Sequence, residues 1–448
     1  MKKIIALLLA LVMVFALVAC GAKEPVANEE KTPAVENTPA NEAVGDINTE
    51  VEPTDPEIVV DYENPIVIGH LADLTGNEAS TGTLAETAVQ FAANLINAQG
   101  GIAGRAVKIE TLDTASSASN AAIGVQTLVE EKGAVAIIGP TQIGHKQAVA
   151  PVAADYGVPV MCYNGTPAFL AKKNEYFMSS GGGTAQMPTA MADYLYNELG
   201  YRTIICISQQ GTAGKNYVGP LITNFEAMGG KVVGYSNEEA KYIEVPADAT
   251  DIESYLMNLP EADALVGWLS GTQGVGLWKA WFNQCSAKMP LHGAVHGGFT
   301  DYFIWKQLVN TAPEVVEKAM EWGVYAPINY AYSVENEANA EFVEAWKAAN
   351  NGAVPVGSNL PGAGYTSLLL LKAAIESIEG EITGEAIYAA LQQSEANGAE
   401  GHTAFNGGKM AAKAVYIAKV VKLEDGSFNY EIVDTYEDVP VDGLVVGG

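Results

Sequence analysis

From Pro65 onward, short β-branched runs alternate with helix-length amphipathic stretches. Ile66–His70, Ala106–Leu112, Ala134–Ile138 and Val158–Tyr163 have the length and apolar density of buried strands. Between them, Leu84–Ala98, Asn120–Glu131 and a segment about Gln147–Tyr156 read as helices, closed by Gly100-Gly101, Gly133 and Gly157. Leu84, Ala88, Phe91 and Leu95 form one apolar stripe, and Thr83 with Glu86 three residues on predicts a capping box at that helix start. This βαβ punctuation predicts a parallel sheet with helices on both faces.

The alternation restarts after the glycine-rich break Ser179-Ser180-Gly181-Gly182-Gly183. Helix Thr189–Leu199, strand Thr203–Ser208, helix Tyr217–Met228 and strand Lys231–Ser236 come first, then strand Ala264–Trp268, helix Thr272–Gln284 and strand Leu291–Ala294. Three further helical patterns follow, Asn336–Ala349, Tyr365–Ile378 and Gly384–Gln393. A hairpin, Ala414–Leu423 and Asn429–Thr435, turns at Glu424-Asp425-Gly426. Neither the helices nor the hairpin buries enough surface alone, so both are expected to return to two α/β lobes.

Composition narrows the function. The 448 residues are 48% apolar and 17% charged, enough for two or three cores. With 24 Lys+Arg against 53 Asp+Glu the net charge is −29, and no basic stripe exists to hold a phosphate backbone, so nucleic acid is excluded as a partner. Cys162, Cys206 and Cys285 lack metal-ligand spacing and read as core thiols.

Met1-Lys2-Lys3 and the 16 apolar residues Ile4–Ala19 have the form of a secretory signal, too short to span a bilayer. The sequence Leu17-Val18-Ala19-Cys20-Gly21 resembles a bacterial lipobox, which implies removal of residues 1–19 and lipidation of Cys20. Residues 21–57 carry ten acids, two lysines and five prolines and read as a disordered tether, making 20–57 a lipidated linker. The implied location is outside the cell, anchored by Cys20 to the outer face of the cytoplasmic membrane or in a periplasm.

The folded part resembles the type I periplasmic binding proteins of ABC importers, in the leucine/isoleucine/valine-binding class. The matching residues are Ile68-Gly69-His70-Leu71-Ala72-Asp73-Leu74-Thr75-Gly76, Asn94 through Arg105, Asp113, Ile137-Ile138-Gly139-Pro140 and Tyr156-Gly157-Val158-Pro159-Val160, with weaker similarity through Gly200 to about Ile432. The resemblance implies two doubly wound parallel-sheet lobes joined by a three-crossover hinge, closing on a ligand. Lobe 1 is expected at 64–180 plus 327–404, lobe 2 at 181–326 plus 405–435, and a tail at 436–448.

In such open sheets ligands sit beyond the carboxyl ends of the strands. The loops there are Asp73–Gly82, Pro140–Gln147, Tyr163–Pro167, Ser208–Gly214, Gly267–Gln273 and His296–Asp301, mostly rich in small polar residues. The resemblance places carboxylate recognition near Ile143-Gly144, Asn164 and Thr166, with Asn164 acting through its backbone. Thr81 stands where the family has an aromatic, and Val295 or His296 where it has the acid that pairs with an ammonium. The expected ligand-binding residues are Thr81, Gln142, Ile143, Gly144, Tyr163, Asn164, Thr166, Gln210, Trp268, Leu269 and His296. Trp278, Trp281 and Phe299 also fall near the expected cleft, the two tryptophans reading as core packing.

Enzyme readings lack support. Gly100-Gly101-Ile102-Ala103-Gly104 follows a helix and precedes a strand, the reverse of a dinucleotide-binding turn. No nucleophile elbow, HExxH or Walker pattern occurs, and His292 with His296 sits among glycines, so no catalytic residue, metal or cofactor is expected. The function expected is capture of a small organic solute, amino-acid-like or an aromatic or carboxylate compound, by a monomer, for delivery to ABC permease subunits. The alternatives are a ligand-sensing lipoprotein without transport and an extracytoplasmic α/β enzyme.

Overall fold

In the computed structural model, the apolar runs of the first third assemble into one parallel sheet. Its strands are β1 (Asp61–Ala72), β2 (Arg105–Asp113), β3 (Ala136–Ile138), β4 (Val160–Cys162) and β5 (Phe177–Ser179), in the order β2-β1-β3-β4-β5. The second sheet is also parallel: β6 (Thr203–Gln209), β7 (Lys231–Val232), β8 (Ile243–Val245), β9 (Ala264–Trp268) and β10 (Leu291–Gly293), ordered β10-β9-β6-β7, with β8 pairing to β6. Strands buried on both faces carry continuous apolar runs, which is why they are legible without alternation. The structure describes residues 47–53, 55, 57–269, 271–294, 298–439 and 441, within the compact unit Ala40–Gly448. The leader, Cys20, most of the acidic linker, Val295 and His296 lie outside the described residues.

Several boundaries differ from expectation for local reasons. The first helix runs Ala79–Ala98, so Thr83 lies inside it; Glu86 bonds His70 and Thr111 rather than a helix end. Gly82 makes the early start possible, because a Cβ there would collide with the backbone of Asp73. The expected helix 147–156 is instead a helix Ile143–Val149 and a 3-10 turn Ala153–Tyr156, split at Pro151, which cannot donate a helical hydrogen bond. The strand expected at 231–236 ends at Val232, before Gly234 at φ +76°. Helices Tyr302–Thr311 and Pro313–Trp322, signalled by Asp301 as N-cap and Pro313 in a first turn, were not expected.

The hairpin does not stand alone. β11 (Tyr325–Ile328), β12 (Glu395–Gly398), β13 (Gly401–Ala404), β14 (Ala412–Lys422) and β15 (Phe428–Val439) form a third, antiparallel sheet. β15 continues to Val439, so residues 436–439, expected as tail, are strand. Tyr416, Val420, Phe428 and Tyr430 pack with Trp278, Trp281 and Trp305 beside the second sheet. Tyr330, Phe342, Trp346 and helix Leu360–Glu376 pack with Phe91 and Met161 beside the first. The first half of that helix, Leu360–Leu368, is buried all round, and Leu369, Lys372 and Glu376 open one face of its second half. Truncating its fully buried Leu371 to Ala is expected to cost about 2–5 kcal/mol.

Between these two cores the chain crosses at Ser179–Gly183, at β11 and at residues 405–411. Ser179 N donates to Lys409 O at 2.9 Å, and Ala411 N donates to Ser179 O at 2.8 Å, so two of the crossings are stitched together.

Candidate functional site

A cleft of about 300 Å³ lies where the loops beyond the two parallel sheets face each other. The first sheet's loops supply Glu78 and Thr81, Thr141, Gln142 and Ile143, then Asn164 and Gly165. The second side supplies Met187, Pro188, Gln209, Asn216, Tyr217, Trp268, Ala294 and Asp301. Thr184 and Pro327 line it at the crossings, and Ser358 and Leu360 at the start of helix Leu360–Glu376. The volume is at the small end of the range for small-molecule sites.

Each polar group is positioned by its element. Asn164, two residues past β4, donates from Nδ2 to Thr141 O at 3.0 Å, tying two loops of the wall. Beneath it, Lys146 of helix Ile143–Val149 is fully buried and donates from Nζ to Asn164 Oδ1 (2.7 Å), Gly165 O (2.9 Å) and Asn164 O (3.1 Å). Burial lowers this ammonium to about 8. Gln142 Nε2 donates to Glu78 Oε2 at 3.0 Å, and burial, aided by the nearby Asp73 charge, holds the Glu78 carboxyl above its ordinary range. Asp73 accepts from Thr114 Oγ1 and stands 3.2 Å from His145 Nδ1.

On the opposite wall, helix Thr212–Ala227 carries Asn216 and Tyr217 into the cleft. Pro220 inside this helix has no N–H to give the Asn216 carbonyl. Tyr217 OH and Asn216 Nδ2 make no hydrogen bond among the described residues, although Tyr217 is only 8% exposed. A buried hydroxyl without a partner costs about 1–3 kcal/mol of desolvation, so its placement against the cleft marks it as a donor for a bound molecule. Asp301 caps helix Tyr302–Thr311, accepting from Tyr302 N at 2.8 Å, and also faces the cleft.

Of the expected site residues, the structure gathers Thr81, Gln142, Ile143, Asn164 and Trp268 around one cleft. Others lie elsewhere. Tyr163 points under the loop into the core, with its OH 3.0 Å from His70 Nε2, while His70 Nδ1 lies 2.7 Å from Glu86 Oε2. Thr166 is fully buried and donates to Asn164 O at 3.1 Å, because its backbone pairs with Gly182 and Gly183 and turns the hydroxyl inward. Leu269 is a core residue of the second side. Gly144 and Gln210 are exposed and off the cleft, Gln209 taking the lining position at the end of β6. Trp278 and Trp281 are core, donating to Phe299 O (2.7 Å) and Met289 O (2.9 Å), and Phe299 is buried with them. His296 is outside the described residues. Glu78, Asn216, Tyr217 and Asp301 are lining residues that sequence reasoning missed as ligand contacts; the Asp301 cap and the Asn-Tyr pair before Pro220 were the signals available.

Two facing α/β halves with a polar, ring-bearing cleft between their strand ends have the architecture of the type I periplasmic binding proteins. The periplasmic binding protein family model matches residues 65–427, and the chain belongs to that family, whose members act outside the cytoplasm. The Leu/Ile/Val-binding protein homolog 3 of Brucella melitensis biotype 1 is 26% identical over 212 residues, 47% of this chain and 55% of that protein. The chain thus spans little more than half the length of that relative. An ABC transporter substrate-binding protein from Sphaerobacter thermophilus superposes with TM-score 0.71 at 24% identity, over 84% of this chain and 98% of that one. A solute-binding protein of an ABC transporter from Rhodopseudomonas palustris BisB5, in complex with 3,4-dihydroxybenzoic acid, superposes with TM-score 0.70 at 20% identity, over 84% and 98%. Each is described as a binding protein.

Proposed function

We propose that this protein captures a small organic solute, amino-acid-like or an aromatic carboxylate, between two closing lobes and hands it intact to ABC permease subunits. The lobes are residues 64–180 with 327–404, and 181–326 with the C-terminal strands; a lipid on Cys20 would keep the protein at the membrane. The unpartnered Tyr217 hydroxyl against the cleft is the observation that carries the reading. A donor desolvated on one wall, facing Asn164 and Thr141 on the other, gains its hydrogen bond when a solute bridges the walls. Binding energy realised only in the bridged state shifts the open–closed balance. Trp268, Met187, Pro188 and Ile143 supply apolar area for the body of the solute. Relatives named for leucine, isoleucine and valine, and one holding a dihydroxybenzoate, fit that range of sizes.

The test is calorimetric titration of the mature protein with amino acids and hydroxybenzoates, with mass spectrometry of what co-purifies and small-angle scattering with and without the ligand. Saturable 1:1 binding with a decrease in radius of gyration, and recovery of the compound unchanged, is the expected result. Conversion of the compound sinks the reading, as does binding that neither compacts the protein nor responds to substitution at Trp268.

A further inference from the structure

We propose that residues 47–51 are a strap that seats the acidic linker on the half built around the first sheet, across helices Ala79–Ala98 and Glu337–Ala349. That half is then the one held by the lipid anchor proposed at Cys20. By composition these residues belong to the tether, but their burial is that of a docked segment. Ile47, Thr49 and Val51 are half-buried while Asn48, Glu50 and Glu52 are exposed, the period-two alternation of an extended chain laid on a surface. Ile47 and Val51 pack against the core that holds Phe91, Phe342 and Trp346.

Hydrogen bonds fix the register. Asn48 N donates to Asn350 Oδ1 at 2.8 Å and Asn350 Nδ2 donates to Asn48 O at 3.2 Å, so one side chain takes both backbone groups of a strap residue, as a neighbouring strand would. Asn94 Nδ2 donates to Thr49 O at 2.7 Å, and Asn48 Nδ2 donates to Ala349 O at 3.3 Å. Ala349 ends its helix, where the last four carbonyls have no partner within the helix, so the strap supplies a cap from 301 residues away. Ordering a short segment costs conformational entropy that acids and prolines alone cannot offset. Here two apolar side chains and these four bonds offset it.

The strap lies far from the cleft. Thr81, in the first turn of helix Ala79–Ala98, lines the cleft, whereas Asn94 is about 20 Å further along the same axis. A pull on the linker is therefore delivered to the back of one half and does not cross the hinge. Under the capture reading above, on which this consequence rests and the strap itself does not, the half with the first sheet is the fixed jaw and the other half swings. Residues 21–46 are left to span from Cys20 to the strap, a reach of at most about 90 Å.

Glutamate-specific proteolysis of the mature protein tests the strap, because a protease must draw the chain around the cut into its own active site and a docked segment denies it that. Cleavage after Glu50 and Glu52 is expected to be at least about tenfold slower in wild type than in the double variant Ile47→Asp, Val51→Asp, and slower also than in Asn350→Ala. A second measurement needs no variant of the strap core. Nitroxide labels at Glu50→Cys and Ile123→Cys, both exposed positions, in protein carrying Cys20→Ser and with Cys162, Cys206 and Cys285 buried, are expected to give one narrow distance distribution. Equal cleavage rates in wild type and both variants overturn the proposal. So does a broad label distribution, and that result counts even if neither strap variant folds. Neither readout involves a solute, so their failure leaves solute capture standing, while failure of capture removes only the assignment of the fixed jaw.

Discussion

Glu400 Oε1 and Lys413 Nζ lie 2.7 Å apart in the interior, with side chains 2% and 0% exposed. Glu400 sits in the turn between β12 and β13, Lys413 on β14, and Lys413 Nζ also reaches Ser180 O at 3.5 Å. Burial raises the Glu400 carboxyl and the Lys413 charge works against it. Removing one partner leaves a buried charge alone, so Lys413→Met is expected to cost about 3–5 kcal/mol in urea unfolding, whereas Lys413→Met with Glu400→Leu should recover most of that loss. A single variant as stable as wild type would show that water reaches the pair.

His292 links stability to pH. It is fully buried, its Nδ1 accepts from Tyr325 N at 3.3 Å, and burial lowers its pKa from 6.5 to about 3. The unfolded chain therefore takes up a proton that the folded chain refuses between those values. The stabilisation is complete above about pH 6.5 and is lost progressively as pH falls towards about 3. His292→Phe should flatten that acid slope by about one proton, read from thermal unfolding across the window. A slope identical to wild type would assign the acid sensitivity to the carboxylates.

Tyr217→Phe separates binding from folding. The hydroxyl has no hydrogen-bond partner among the described residues, so its deletion should leave the melting temperature unchanged or slightly higher. Affinity for the co-purified solute should fall by about 1–2 kcal/mol, near tenfold, in calorimetry. Equal affinity for both proteins would place the solute off this wall.

Gly82→Ala tests how the first loop is seated. A Cβ at Gly82 would overlap the carbonyl of Asp73, and backbone cannot rotate aside as a side chain can. Destabilisation of about 2 kcal/mol or more is expected from chemical unfolding, with reduced protease resistance confined to residues 73–82.

The βαβ order was legible because buried parallel strands such as Ala264–Trp268 announce themselves by composition and end at glycine-marked loops. Trp268, Ile143 and Asn164 were reachable for the same reason, the first ending a readable strand and the other two lying in loops that follow one. Tyr163 was not: whether the side chain after β4 faces solute or core is decided by His70, which Glu86 holds from a different element. Glu78 was missed because the helix it precedes starts five residues before its apolar stripe, a start permitted by the close approach at Gly82. β12 and β13, short and partly polar, pair across the two-residue turn Ala399-Glu400 and touch β14 through only two residue pairs, so they carry little of the apolar alternation that marks a strand.

β13 meets β14 through two residue pairs alone, Thr403 with Lys413 and Ala404 with Ala412. A ribbon this narrow behaves as a leaf spring: its hydrogen bonds resist sliding and stretching, while twist, the natural soft mode of paired strands, remains cheap. For the proposed closure this makes twist the soft motion of the ribbon where β13 meets β14, so at that place a solute a few atoms across works against little resistance in swinging two masses of some two hundred residues each.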